Sequence, residues 1–478
     1  MSNVQPLVEG FVASGYEPVR AKFEEHVRNG VEEHAQVACY VKGQCVLDLW
    51  TKGHQFGLQN IFSSTKVITS LVVAILVDQG HLRYDQLVTD VWPEYGQHGK
   101  EGTTVEQVMR HEAGLPKFDT TLNAVDLYAS ALRDKNKNTV ANIISKQQPS
   151  YLDVSSGKSE RLQREYHSLT RGWIINEIVK RADLQGRTIG QFLSEEITKP
   201  LNIDSQVMIG FTEQKYNRLK HLIQPLKVTS FWWTWFQLLL PTIAGGQKVP
   251  IRSFILRMIL ILTMPVGKVL SEIGMLNTLI KRVLTPMLTF FTITNQKRTR
   301  TKRTTHAPER ALTTTVYLNT KNTHKEDYTI CNLFNSEEVR RSECPSANGH
   351  ATARGLAKIA GTIVEGGQLP NEHRIISEAG LKLAHANVIK RSMFVKYAMF
   401  QFNNAGWNLF KNQGRKGYVG WMGLGGSVMQ WHPELSIGFG YAMNLLEITP
   451  SNERADCLQE IVVQCVRKNQ KKERIAKY

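Results

Sequence analysis

Cysteine is scarce in this chain, and no two cysteines are spaced as a pair. The sequence of 478 residues holds six of them, and none falls in a C-x-x-C pattern. This scatter argues against a disulfide framework or a zinc site and favours reduced thiols, as in intracellular proteins. The six positions are Cys39, Cys45, Cys331, Cys344, Cys457 and Cys465.

Acidic residues are also in deficit, with 42 against 59 basic ones and a formal net charge of +17. Such a balance leaves three interpretations open: a nucleic-acid partner, an anionic membrane surface, or a biased solvated surface. Residues Met1 to Gly15 lack a basic region followed by an apolar core, so we expect no secretory signal. We therefore expect an intracellular protein. With 42% apolar residues, the chain is long enough for two or three domains, or for one large domain with an insertion.

The stretch Ile61–Val67 places a lysine three residues after a serine, at the start of an apolar helical pattern. Positions three apart share a helix face, so the Lys66 ammonium can reach the Ser63 hydroxyl. A lysine packed on an apolar helix loses solvation and becomes a base, and the helix N-terminus favours an oxyanion. This is S-x-x-K chemistry, although a pattern with two fixed positions also arises by chance. The apolar stripe is Val67, Leu71 and Ile75 beside Ile68, Val72 and Leu76, and Gly80 ends it.

Strand patterns lie near the two ends of the chain, and helical patterns fill the middle. Residues 37–50 predict one hairpin and residues 428–444 a second, after a glycine-rich turn. Between them, 103–111 and 168–182 have helical periodicity, and Thr104 is a candidate cap of the first. We therefore expect an α/β (α+β) fold, in which the ends pair into one antiparallel sheet and the middle forms an all-helical lobe.

The composition changes between residues 211 and 342. Residues 228–247 carry no charge and include five aromatic side chains in a row of six, 251–266 and 283–291 are apolar, and 297–303 hold five basic residues. Aromatic and apolar helices followed by a basic segment suit an anionic headgroup surface, so 228–303 predict helices at a membrane interface or under a protein partner. A membrane span and an insertion packed on its own protein with a solvated basic loop stay open as alternatives.

Four motifs occur in the order typical of one family. They are "FSSTK", "HEAGLP", "YHS" and "GWMGLGGS". In these motifs the chain resembles the serine beta-lactamase-like proteins: class C beta-lactamases, penicillin-binding proteins and family VIII esterases. The resemblance covers roughly 10–210 and 340–468 and skips the apolar and basic segment. It implies the beta-lactamase/transpeptidase-like fold, an antiparallel sheet flanked by helices plus an all-helical lobe, with the site in the cleft between them.

By this resemblance Ser63 is the nucleophile and Lys66 its base. Tyr166 matches the tyrosine of the second motif and would relay the proton to the leaving group. Ser168 matches the third position of that motif and is expected to bind the substrate. We expect a nearby ammonium to depress the pKa of the tyrosine. His111 of "HEAGLP" falls in a turn that is structural in the family. Asn348, in the loop 345–349, is a candidate for lining the cleft.

The third motif departs from the lactamase pattern K-T-G. Here it is Trp421-Met422-Gly423, closer to the W-G-G of the family's esterases. A cation at this position helps to hold the carboxylate of a beta-lactam, so its loss favours an uncharged ester or amide substrate. Backbone N–H groups need no particular side chain, so Ser63 and Leu424 can still form an oxyanion hole. We expect Trp421, Gly423 and Leu424 to bind the substrate.

The sequence thus predicts a serine hydrolase that acts on a small-molecule or acyl substrate through an acyl-enzyme, without a metal or organic cofactor. The alternative is a non-enzymatic scaffold or membrane-associated protein on the same fold, and nucleic-acid binding is not expected because no reading module is present. The predicted units are a sheet lobe from 10–110 and 343–468, a helical lobe over 111–210, an insertion over 211–342 and a basic tail over 469–478.

Overall fold

The computed structural model describes residues 7–134, 138–150, 164–228, 330–369, 373–393, 395–412, 414–446 and 453–475. The apolar and basic runs predicted between 229 and 303 lie outside these ranges. No helix of the described ranges is both long and apolar enough to cross a bilayer.

The strands are short to medium in length and fall mainly near the two ends of the chain. Nine of them form one antiparallel sheet, in the order β1-β3-β2-β13-β12-β11-β10-β9-β8. In chain order the strands are β1 (Val8–Val12), β2 (Ala35–Val41), β3 (Gln44–Thr51), β4 (Gln59–Asn60), β5 (Val207–Ile209), β6 (Lys227–Val228), β7 (Gly349–Ala351), β8 (Ile389–Met393), β9 (Val395–Phe402), β10 (Asn408–Leu409), β11 (Val419–Met422), β12 (Val428–His432), β13 (Ile437–Met443) and β14 (Leu445–Leu446).

The helices flank this sheet and fill the middle of the chain. Short 3₁₀ turns occur at Phe62–Ser64, Pro93–Tyr95, Ala124–Leu127, Lys220–Leu222 and Pro433–Leu435, and a π-helical turn at Leu193–Thr198. The helices are α1 (Glu17–Arg28), α2 (Thr65–Asp78), α3 (Val88–Val91), α4 (Val105–Met109), α5 (Ala129–Arg133), α6 (Thr139–Lys146), α7 (Thr170–Ala182), α8 (Ile189–Phe192), α9 (Glu213–Leu219), α10 (Ile330–Asn335), α11 (Glu337–Arg341), α12 (Ala353–Val364), α13 (Glu378–His385) and α14 (Glu453–Ile475).

The pairing of β2 with β13 joins the two ends of the chain, as predicted. Val37 faces Tyr441 and Cys39 faces Phe439 in this antiparallel register. The predicted hairpins are confirmed as β2–β3 and β12–β13, and Thr104 caps α4 in a capping box with Gln107. The antiparallel sheet with helices confirms the expected fold class.

Helices cover both faces of the sheet. A Cβ on Gly438 would lie 2.2 Å from the backbone nitrogen of Gly361, so α12 approaches β13 directly over this glycine. Side chains alternate along a strand, so Phe439 and its cross-strand partner Gln430 point to the opposite face. On that face Gln459 of α14 donates to the Gln430 side chain at 2.9 Å. Both faces of the central strands are therefore buried.

Helix α2 is the centre of the domain, and its residues from Thr65 to Val77 are all buried. It packs against α7 on one side and against α13 on another. The small sheet β4-β7-β5 lies at its start, where the Gly349 N–H of β7 donates to the Thr65 hydroxyl at 2.9 Å. This contact brings the loop before β7 to the N-terminal end of α2.

The described ends of the predicted insertion pack on the domain. Residues Tyr216 and Leu219 of α9 join a small apolar cluster with Leu58, and Phe334 of α10 contacts the ring of Phe62 with 5.0 Å between centroids. Helix α14 continues to Ile475 and so includes most of the predicted basic tail.

Candidate active site

A strained turn places Ser63 at the start of α2. Phe62 has a φ of +41°, a conformation that is unfavourable for residues other than glycine. Burial of its ring and a 2.8 Å hydrogen bond from its N–H to the Asn60 side chain hold this conformation. The chain therefore reverses direction at Phe62 and presents Ser63 at the helix N-terminus.

Lys66 lies one turn along α2 from Ser63 and is 3% exposed. Its Nζ donates to Ser63 Oγ at 3.2 Å, to the Ser168 carbonyl at 2.7 Å and to the Ser346 carbonyl at 2.9 Å. Burial, followed by the positive charge of Arg171, lowers the pKa of Lys66 well below its usual value. The structure thus brings Ser63 and Lys66 together as the sequence spacing predicts.

Tyr166 comes from the second motif and lies against the same serine. Its hydroxyl donates to Ser63 Oγ at 2.6 Å, and Nε1 of Trp421 donates to that hydroxyl at 3.2 Å. Burial raises the pKa of Tyr166 above its usual value, and its hydrogen bonds with Ser63 and Trp421 oppose this only in part. The expectation of a depressed tyrosine pKa is therefore wrong, because desolvation of the phenolate outweighs its partners.

The third motif reaches the site through close backbone contact. A Cβ on Gly423 would lie 2.1 Å from Ser427 Oγ and 2.3 Å from the Ile61 carbonyl oxygen, so only glycine fits. The Ser427 hydroxyl donates to that Ile61 carbonyl at 2.7 Å, and the Ser64 hydroxyl donates to the Ser427 carbonyl at 3.0 Å. These bonds fix the end of β11 beside the start of α2.

Leu424 follows Gly423 and is partly buried against the core. Across the described ranges, neither the Leu424 N–H nor the Ser63 N–H has a hydrogen-bond partner. Two backbone donors at this point could bind an oxyanion.

The second-motif serine lies at the site, whereas the candidate Asn348 points away from it. Ser168 contributes its backbone carbonyl to Lys66, whereas its buried hydroxyl has no partner within the described residues. The Asn348 side chain is fully buried, donates to the Val339 and Ser342 carbonyls and accepts from the Cys344 N–H. Asn348 therefore does not line the cleft, since all its polar atoms are used to close its own loop.

His111 is structural, as the family resemblance implies. It has a φ of +65°, and its Nδ1 accepts from the His167 N–H at 3.0 Å. His167 in turn accepts from the Leu115 N–H at 3.0 Å, and burial lowers its pKa to about 3. These two histidines join the second motif to the turn after α4.

Aromatic rings enclose the indole of Trp421. The ring centroids lie between 5.3 and 6.4 Å from it. The four rings are Tyr166, Phe400, Phe402 and Phe410. An apolar wall thus occupies the position that carries a cation in the lactamase pattern.

Sequence reasoning missed three contributors to this site. Ser346 accepts from Lys66, Ser427 anchors β11, and Arg171 lies buried near Lys66. Ser427 could have been found as the last residue of the glycine-rich motif, but a carbonyl acceptor such as that of Ser346 has no side-chain signature. No group of three or more His, Cys, Asp or Glu side chains in the described ranges is arranged to hold a metal ion.

Comparison with known proteins gives consistent matches. A family model described as Beta-lactamase matches residues 19–210 and 270–463, so its second segment begins inside the predicted insertion. The curated Esterase/beta-lactamase LipL of Mycobacterium tuberculosis (strain ATCC 25618 / H37Rv) is 27% identical over 207 residues, which are 41% of this chain and 43% of that protein. The matched part thus spans less than half the length of this relative.

Solved structures resemble the whole domain. A family VIII carboxylesterase superposes with a TM-score of 0.67 at 21% identity, and a penicillin-binding protein homologue from Caulobacter crescentus with 0.64 at 24%. EstA from Arthrobacter nitroguajacolicus Rue61a gives 0.65 at 20% identity. Each comparison covers 96% of this chain and 99% of the other. At these identities the likeness establishes the shared fold.

Proposed function

The chain belongs to the beta-lactamase family, and from this premise we propose that it is a serine hydrolase that forms an acyl-enzyme at Ser63. One observation carries the proposal: Ser63 Oγ lies 3.2 Å from Lys66 Nζ and 2.6 Å from the Tyr166 hydroxyl. A serine hydroxyl is a weak nucleophile until a neighbouring base takes its proton.

Lys66 is the proposed base. With its pKa lowered by burial, the amine is neutral and has two N–H groups, which match the carbonyls of Ser168 and Ser346. Its lone pair is then left for the Ser63 hydroxyl, so in this neutral state Ser63 is the donor of their 3.2 Å contact and Lys66 the acceptor. As Ser63 Oγ bonds to the substrate carbonyl carbon, the hydroxyl proton passes to Lys66, and the Ser63 and Leu424 N–H groups stabilise the oxyanion.

Tyr166 is the proposed proton donor to the leaving group. Because burial raises its pKa, the phenol is protonated at neutral pH and can give its proton as the carbonyl carbon–leaving group bond breaks. The proton held by Lys66 then restores the phenol. Water attacks the ester carbonyl of acylated Ser63 by the same route, releasing the acid and regenerating the serine.

The proposed substrate is an uncharged ester or amide, with ester hydrolysis favoured over hydrolysis of beta-lactams. The aromatic wall around Trp421 supports this choice, because it offers apolar contact and an indole N–H where a lactamase has a cation. The name of the relative from M. tuberculosis includes both activities, so direct comparison of the two substrates is needed. Both ester hydrolysis and beta-lactam hydrolysis would act on a small-molecule substrate.

Covalent labelling by a fluorophosphonate, read by intact mass, tests the nucleophile. We expect the wild type to gain one phosphonyl group with loss of fluoride, and the Ser63→Ala and Lys66→Ala variants to gain none at matched times. The exposed Ser205 provides the matched control, and Ser205→Ala should label like the wild type. A folded wild type that does not label would reject the hydrolase and favour the scaffold alternative.

A second proposal concerns the segment 228–303. Its uncharged aromatic run and the five basic residues at 297–303 favour contact with an anionic membrane surface. The test is sedimentation with phosphatidylserine vesicles at low and high salt. Salt-sensitive binding supports the proposal, whereas a chain that stays in solution at low salt contradicts it.

A further inference from the structure

Arg171 is a buried cation without a carboxylate partner in the described part of the chain. It lies on α7 with 1% of its surface exposed. Its Nε donates to the Met109 carbonyl at 3.0 Å and its Nη2 to the Ser70 hydroxyl at 2.8 Å, while Nη1 has no partner among the described residues. An unpaired charge in the interior is strongly unfavourable, so its presence beside a reactive site calls for a functional explanation.

The two elements that hold Lys66 also hold Arg171. Ser70 lies one turn after Lys66 on the same face of α2 and accepts from the guanidinium. Arg171 lies one turn after Ser168, whose carbonyl accepts from Lys66 Nζ. Lys66 on α2 thus bonds to the segment directly before α7, and Arg171 on α7 bonds back to α2.

The other titratable groups around Lys66 are held neutral at neutral pH. Burial lowers the pKa of His111 well below its usual range and that of His167 to about 3. Burial raises the pKa of Tyr166, and it raises that of the Cys344 thiol, on the loop that packs on α2, to about 12. None of these groups compensates the charge of Arg171.

Two other buried carboxyl groups, those of Glu112 and Glu343, form no ion pair with Arg171 among the described residues. Glu112 lies in an ion pair with Arg164 at 2.8 Å and near Arg110 at 3.6 Å, so its charge is already balanced. Burial raises the pKa of Glu343 to about 7. Burial lowers the pKa of Arg171 only to about 9, so the guanidinium remains charged at neutral pH.

We propose that Arg171 is a positioning residue that acts through Lys66: its fixed positive charge keeps the amine unprotonated at neutral pH. This inference rests on the proposed hydrolase. Loss of the guanidinium leaves the base in place but favours its ammonium form, which cannot accept the Ser63 proton. The activity lost with the guanidinium should therefore return at high pH, where Lys66 deprotonates without the charge of Arg171.

The test is the rate of fluorophosphonate labelling as a function of pH, for the wild type and Arg171→Gln. Glutamine keeps a donor for the Met109 carbonyl and removes the charge. We expect the acid limb of the profile to move to higher pH by about one unit, which is about a tenfold slower rate at a given pH on that limb, with the alkaline plateau retained. Arg171→Lys, which keeps a cation, should lie between the two.

The matched control is Arg187→Met, which removes another buried guanidinium from the helical lobe. Arg187 pairs with Asp183 at 2.8 Å, so this change should lower thermal stability and leave the acid limb in place. The inference is overturned if folded Arg171→Gln keeps the wild-type limb, or if it fails to label at any pH. A wild type that never labels instead rejects the hydrolase itself. If Arg171→Gln does not fold, the Lys variant decides. An acid limb at the wild-type position or less than one pH unit above it, with the plateau retained, supports the role of the charge, and complete loss of labelling opposes it.

Discussion

The indole nitrogen of Trp421 donates a hydrogen bond of 3.2 Å to the hydroxyl of Tyr166, which itself donates to Ser63 Oγ at 2.6 Å. The third motif thus acts on the nucleophile through the second motif. A neutral donor stabilises developing negative charge on the phenol oxygen without attracting an anionic group of the substrate. This arrangement supports an uncharged substrate.

Trp421→Phe should lower kcat/KM for a nitrophenyl ester by roughly fivefold, which corresponds to about 1 kcal/mol for one neutral hydrogen bond. The ring contacts remain, so the protein should stay folded. Trp407→Phe is the control, because its buried indole N–H donates to the Val67 carbonyl at 3.3 Å outside the reacting groups. Equal loss of activity in both variants would show that Trp421 acts through stability alone.

Folded Lys66→Arg should lose labelling by about 10²- to 10⁴-fold, the usual contribution of a general base. Arginine can still donate to the carbonyls of Ser168 and Ser346, but it does not deprotonate in a protein. The rate of fluorophosphonate labelling, measured across the pH range for the wild type and Lys66→Arg, tests this prediction. Recovery of Lys66→Arg at high pH would contradict a base at this position.

Gly423→Ala should abolish labelling or reduce it by at least about 100-fold. The added methyl group would overlap Ser427 Oγ and the Ile61 carbonyl, so β11 must move away from Ser63. Gly102→Ala is the matched control, because a Cβ there has nothing within 4 Å. Normal labelling by Gly423→Ala would mean that β11 does not position the oxyanion donors.

Glu343 should make the free energy of unfolding depend on pH. Burial raises its folded pKa from 4.5 to about 7, so its protonated form stabilises the fold fully below pH 4.5, and this stability is lost as pH rises to about 7. A difference of this size corresponds to at most about 3 kcal/mol. Urea unfolding of the wild type and of Glu343→Gln near pH 4.5 and above pH 7 measures this change in the free energy of unfolding.

The Gln side chain can accept from the Gly190 N–H and donate to the Thr188 hydroxyl, the two groups that now contact Glu343. We therefore expect Glu343→Gln to exceed the wild type in stability above pH 7 and to approach it near pH 4.5. Parallel pH profiles for the two proteins would show that Glu343 is not the group that titrates.

Much of the fold and the reacting core could be predicted from the sequence. The period-two strands 37–50 and 428–444, the apolar stripe after Ser63 and the cap Thr104 are local patterns, and local patterns need no knowledge of the rest of the chain. The spacing of Ser63 and Lys66 on one helix face is equally local. The position of Asn348 in a loop before a helix makes it a candidate for lining the cleft, but the direction of a side chain in a loop follows from packing.

The sequence by itself determined the order of the motifs, the elements that carry them and the approach of Lys66 to Ser63. Only the tertiary structure decided what surrounds them: the Ser346 carbonyl on Lys66, the indole N–H on Tyr166 and the unpaired guanidinium of Arg171. The reason is physical. Every residue has a carbonyl, so acceptors leave no mark in a sequence, and a pKa depends on burial and on charges brought close by folding.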